Sequence, residues 1–139
     1  MRWVLVLLAI VGIVASSLAL REHYRTDTSP CSINERWDCG IVNHSPYAVL
    51  GGIPVAVMGI AGYLFLGALA IRKAYRLMLV GALAGLGFSL YLAHIEAHVL
   101  GVWCIYCVIS LGVISLLSLL VLALVLVNSV SRPSAPPQP

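Results

Sequence analysis

Four long apolar stretches dominate the chain, running roughly from Trp3 to Leu20, Ile53 to Ile71, Leu77 to Ala93 and Val102 to Val127. Polar and charged residues gather between these stretches instead of alternating with apolar ones at the short periods of a soluble fold. A hydrocarbon core of about 30 Å needs about 20 helical residues, so each stretch is close to a span, the first and third slightly short and the fourth generous. In lipid every backbone amide must be satisfied within its own segment, which makes these stretches helices. Strands of a membrane barrel would alternate apolar and polar residues, and these do not. The pattern predicts an all-α membrane protein, a four-transmembrane-helix bundle.

Composition sharpens that picture. Of 139 residues, 61% are hydrophobic and 9% charged, and the mean hydropathy is +1.03. Soluble domains carry about 25% charged residues, so this surface is not built for water. The length allows one domain, expected over residues 1–130, followed by a Pro-rich, polar tail over 131–139 that has no means of packing and reads as disordered. Arg2, an apolar run and the small residues Ala15, Ser16 and Ser17 also resemble a secretory signal, but the stretch is read as a retained first helix. The net charge of +3 reflects topology; no nucleotide-binding glycine loop and no nucleic-acid patch is present in the sequence.

The basic residues set an orientation. Arg72, Lys73 and Arg76 occupy the turn between the second and third stretches with no acid among them, which places that turn in the cytoplasm. Arg2 and Arg132 then fall on the same side, so both termini are expected there. The 21–53 loop mixes Arg21, Arg25 and Arg36 with Glu22, Asp27, Glu35 and Asp38 and goes outside. Within it, Ser45-Pro46 and the apolar residues that follow read as a short interfacial helix, with Ser45 as N-cap, Pro46 as first residue and Gly51-Gly52 as its end. Such a segment is either a lid over a membrane site or a plain connection.

All four cysteines fall on that outer, oxidising side, where disulfides persist. Cys104-Ile105-Tyr106-Cys107 is a C-x-x-C at the start of the fourth helix, so both sulfurs share a face and sit near unsatisfied amides and the positive end of the dipole. A thiolate, favoured there, is the attacking species in disulfide exchange. Cys31 and Cys39, seven residues apart in the loop, form a structural staple or a mobile dithiol. Structural zinc would want a second closely spaced pair, so no metal is expected. Four cysteines allow three connectivities. Ala56, Gly59, Gly67, Gly81 and Gly85 let helix backbones approach closely. Tyr91, His94 and His98 are spaced for one face, with Glu96 beside them and Trp103 and Tyr106 at the same depth. They read as an aromatic interface belt, Glu96 and His98 lying too near water to count as intramembrane charges.

Cys31-x7-Cys39, Ile53-Pro54 ahead of Gly59-x3-Tyr63, Tyr91-Leu92-Ala93 and Trp103-Cys104-Ile105-Tyr106-Cys107 together resemble the vitamin K epoxide reductase family, over nearly the whole chain up to about Val130. The resemblance implies a four-helix bundle around a quinone, of menaquinone or ubiquinone type, capped by the outer loop. It implies that Cys31 takes electrons from an external reduced partner, that Cys39 passes them to Cys104, and that Cys107 attacks the quinone, forming a charge-transfer or covalent adduct. Where the animal enzyme's pattern has an Asn and a Tyr that hold the quinone oxygens, this chain has Val55 and Leu111, which with Met58 are expected to line an apolar quinone pocket. The chain looks most like prokaryotic members that lack a fused thioredoxin-like domain. Its expected partner is a separate thioredoxin-fold protein in the periplasm or outside the cell, and its expected place the inner membrane. A strongly oxidising donor near about −120 mV needs a higher-potential acceptor, a condition a membrane quinone meets. Reduction of vitamin K epoxide as the physiological activity, or a scaffold with two inert disulfides, are the competing expectations.

Overall fold

Residues 2–24, 37, 46 and 49–131 are described in the computed structural model. Four helices carry the fold: α1 (Arg2–Tyr24), α2 (Val55–Ile71), α3 (Tyr75–Ile95) and α4 (Ile105–Ser131). α1 packs on α2 and α4, and α3 packs on the same two, so the helices form a four-membered ring in chain order. α1, α4 and α3 with its continuation to Leu100 are long and apolar enough to cross a membrane. α2 is 17 residues, about 25 Å, because the apolar stretch from Ile53 gives its first two residues to a strand. Trp3, Leu7, Leu64, Val80 and Leu119 are exposed on the bundle's outside, the arrangement expected of a surface solvated by lipid tails. Hydroxyls within the spans turn back onto their own helix: Ser17, Ser115 and Ser118 each donate at 2.7 Å to the carbonyl four residues earlier.

The core lies in two parts. The larger joins Leu5, Leu66, Ala70, Met78, Ala82, Leu117 and Val121 from all four helices. The smaller gathers Val102 and Cys104 with Leu100, Ile105 and Tyr106. Small residues set the helix spacing as expected: Gly59 faces Ser16, Gly67 faces Ala9, Gly81 faces Leu66 and Gly85 faces Ile114. The turn between α2 and α3 closes with Lys73 N–H on the Ala70 carbonyl and Ala74 N–H on that of Leu69, a Schellman arrangement with Lys73 left-handed at φ 57°. Arg2 reaches the Ile71 carbonyl at 3.4 Å, so the chain start and the basic Arg72–Arg76 turn share one end of the bundle.

At the opposite end the expected interfacial helix is not what forms over Val49–Gly52. Val49–Leu50 (β1) pairs antiparallel with Ile53–Pro54 (β2), Val49 opposite Pro54 and Leu50 opposite Ile53. Gly51 and Gly52 at φ 60° and 83° make the two-residue turn, and consecutive left-handed residues there select a hairpin. Pro46 lies in a 3₁₀ turn. Ser45, Tyr47 and Ala48, the rest of the expected helix, lie outside the described residues, as do Cys31, Cys39 and the tail from residue 132.

Candidate functional site

Between the two core clusters the helices enclose a cavity of about 290 Å³, near the lower end of the range for small-molecule pockets. Its floor is Leu66, Gly81 and Ile114, and its roof Trp103, Tyr106 and Cys107. On its α2 side Met58 and Phe65 are 38% and 51% exposed, so the cavity opens through the helix ring toward the surface that lipid would cover. The wall is mostly apolar. Val55, Met58 and Leu111, the residues expected to form a quinone pocket, all line it together with Cys107.

The cysteine pair sits at the roof for reasons of local structure. The continuation of α3 widens into one π-helical turn, Glu96–Leu100, and stops at Gly101, whose φ of 70° reverses the chain. Val102 and Cys104 are then buried. Cys104 caps α4, its carbonyl accepting the first helical bond from Val108 at 3.0 Å, and Cys107 falls in the first turn. The Cys107 thiol lies in hydrogen-bonding contact with the Cys104 sulfur and with the Glu96 carboxyl. Glu96 also accepts a hydrogen bond from the backbone of Cys104. The outer loop is anchored here as well, since Trp37 forms a parallel backbone bridge with Trp103.

Two polar features were missed from the sequence. Glu96 is not beside the water but 3% exposed, in the wall of the cavity. A signal existed: Gly81, Gly85, Phe88, Leu92 and Glu96 are separated by three or four residues and form one stripe on α3, all lining the cavity. Tyr91, His94 and His98 belong to the other face and are exposed, the two imidazoles 4.7 Å apart, which suits the belt reading for them but not for Glu96. The second feature is Tyr63. Its ring lies over Gly12, and its hydroxyl crosses from α2 to α4, donating to the Ser110 carbonyl at 2.9 Å and meeting Ser110 Oγ at 2.8 Å. That pair gives the apolar cavity a hydroxyl cluster on the same two helices as Val55 and Leu111, where the sequence offers no donor. Nothing in the apolar pattern reveals a bond between two helices that are not ring neighbours.

A search of curated proteins finds no match to this chain. A family model does: it covers residues 3–124, from the start of α1 into the last turns of α4. The chain that carries this C-x-x-C above an apolar cavity therefore belongs to the vitamin K epoxide reductase family, a family of integral membrane oxidoreductases.

Proposed function

We propose that the protein oxidises thiols with a membrane quinone and so supports disulfide formation. The observation that carries this reading is the position of Cys107, whose thiol is in the wall of an apolar cavity that opens toward lipid. A quinone is an apolar two-electron acceptor dissolved in the bilayer. Val55, Met58 and Leu111 supply an apolar seat for its ring, and the Ser110 hydroxyl, on turning away from Tyr63, can donate to a ring oxygen. The Cys104–Cys107 dithiol becomes a disulfide and the quinone becomes a quinol, with no metal needed.

The electrons come from outside through Cys31 and Cys39. A reduced thioredoxin-fold protein exchanges with Cys31, Cys39 passes the pair to Cys104, and Cys107 faces the quinone. Support for the middle step comes from the Trp37–Trp103 bridge. Cys39 is two residues from Trp37 and Cys104 is next to Trp103 in the chain, and two residues reach no further than about 7 Å. In this reading α2 is a fourth span, both termini are cytoplasmic in a prokaryotic inner membrane, and the cysteines face outward.

Purified protein in detergent tests the order. Cys107→Ala abolishes reduction of a soluble quinone analogue by any donor. Cys31→Ala retains quinone reduction driven by a small dithiol but loses it with a thioredoxin-fold protein donor. Full activity of Cys31→Ala with the protein donor refutes the relay, whereas trapping a Cys39–Cys104 mixed disulfide in Cys107→Ala supports it and removes the inert-disulfide alternative.

A further inference from the structure

We infer that Glu96 is a catalytic residue of the thiol oxidation, the group that takes the proton from Cys107 and hands it to the acceptor. This rests on the quinone-linked reading of the site and adds a proton path to it. Oxidation of a dithiol by a quinone moves two electrons and two protons. Electrons pass through sulfur, but the protons need a carrier, and the cavity is apolar and at membrane depth. Among the described residues lining it, Glu96 is the one carboxylic acid.

Geometry makes Glu96 that carrier. It is 3% exposed, yet it is in contact with the Cys107 thiol and lines the same cavity. The hydrogen bond it accepts from the backbone of Cys104 fixes its carboxyl against the helix start. Burying a carboxyl in lipid without a task is costly, and such residues mark proton paths by default. The π-helical turn begins at this residue, and such turns gather at functional sites because they re-aim a side chain.

The step balances. The Glu96 carboxylate takes the Cys107 proton as the sulfur's electron pair moves to the quinone, then gives it to a quinone oxygen. The Cys104 thiol, already in contact with Cys107, closes the S–S bond and releases the second proton, which makes the other hydroxyl of the quinol. Two S–H bonds break, one S–S and two O–H bonds form, and the carboxylate is regenerated.

Two measurements on the full chain in detergent test this. The first needs no quinone: the pair is oxidised by a small aromatic disulfide and an infrared difference spectrum is recorded. A carboxyl band must change on oxidation, vanish in Glu96→Gln and shift in Glu96→Asp; a spectrum without a carboxyl change overturns the proposal. The second is single-turnover reduction of a quinone analogue, which Glu96→Gln slows roughly 100- to 10,000-fold, the usual worth of a general acid–base. The helical circular-dichroism spectrum of Glu96→Gln matches that of the wild type, and Glu96→Asp recovers part of the rate. Wild-type quinone turnover in Glu96→Gln overturns the proposal. If Glu96→Gln does not fold, Glu96→Asp carries both tests through its band shift and intermediate rate. A carboxyl change in a wild-type protein that reduces no quinone supports Glu96 as the proton acceptor and refutes the quinone reading instead.

Discussion

The contact between Gly12 and Tyr63 makes a prediction with a change of sign. A methyl group built on Gly12 meets Cδ1 and Cζ of the Tyr63 ring at 2.5 Å, and these are ring atoms in a buried core, with no flexible end to move aside. Overpacking of this kind costs about 1–3 kcal/mol. A ring pushed off Gly12 also pulls its hydroxyl from Ser110, and the two hydrogen bonds at 2.9 and 2.8 Å contribute about 1 kcal/mol each. Against this, alanine in a helix interior is favoured over glycine by about 1 kcal/mol. Gly12→Ala should therefore destabilise the protein by about 2–4 kcal/mol. In a Tyr63→Ala background the ring is gone, and the same change becomes neutral or stabilising by up to about 1 kcal/mol. Reversible unfolding in mixed micelles titrated with a denaturing detergent measures all four corners of the cycle. An equal cost of Gly12→Ala in both backgrounds, or a cost below about 0.5 kcal/mol in the wild type, defeats the argument.

Two further outcomes are expected. Lys73→Gly relieves a left-handed position that L-residues occupy at a cost of about 1 kcal/mol, so it should raise the unfolding midpoint slightly; a lowered midpoint would mean that the lysine stabilises the turn by its charge. Gly62 lines the cavity and has nothing within 4 Å of an added Cβ. Gly62→Leu should leave folding intact while raising the KM for a quinone analogue, and an unchanged KM would place the quinone elsewhere.

Much of the fold is legible because lipid simplifies the problem. Four apolar stretches have one helical solution each, and the basic turn at Arg72–Arg76 fixes which ends meet, as Arg2 on the Ile71 carbonyl bears out. The hairpin at Val49–Pro54 was not legible for a local reason. Ser45 and Pro46 resemble a helix start, and Gly51-Gly52 serves equally well as a helix stop and as a hairpin turn. Tertiary placement beside α2 decides between them, and the short strand shortens α2 in turn. Glu96 was obscured by its neighbours, since His94 and His98 suggest a wet helix end, and only the stripe through Gly81, Gly85, Phe88 and Leu92 separates its face from theirs. Val55, Met58 and Leu111 could be assigned to one cavity because the family resemblance sets the positions of Val55 and Leu111, and all three line the same cavity. The Tyr63–Ser110 bond could not, because it depends on the rotation of two helices that face each other across the ring.

The bridge between Trp37 and Trp103 has a consequence for kinetics. It holds Trp37 beside Trp103 at the mouth of the site, so in the proposed relay a thiol carried a few residues along that segment would meet the C-x-x-C as part of the same molecule. Over so short a tether the effective concentration is in the millimolar range or above. A dithiol arriving from solution at micromolar levels cannot match that encounter frequency. If the proposed relay holds, the loop would act as a filter as well as a conduit: it would favour partners able to dock on the loop itself, and dilution of the protein in the membrane would leave the electron flux unchanged.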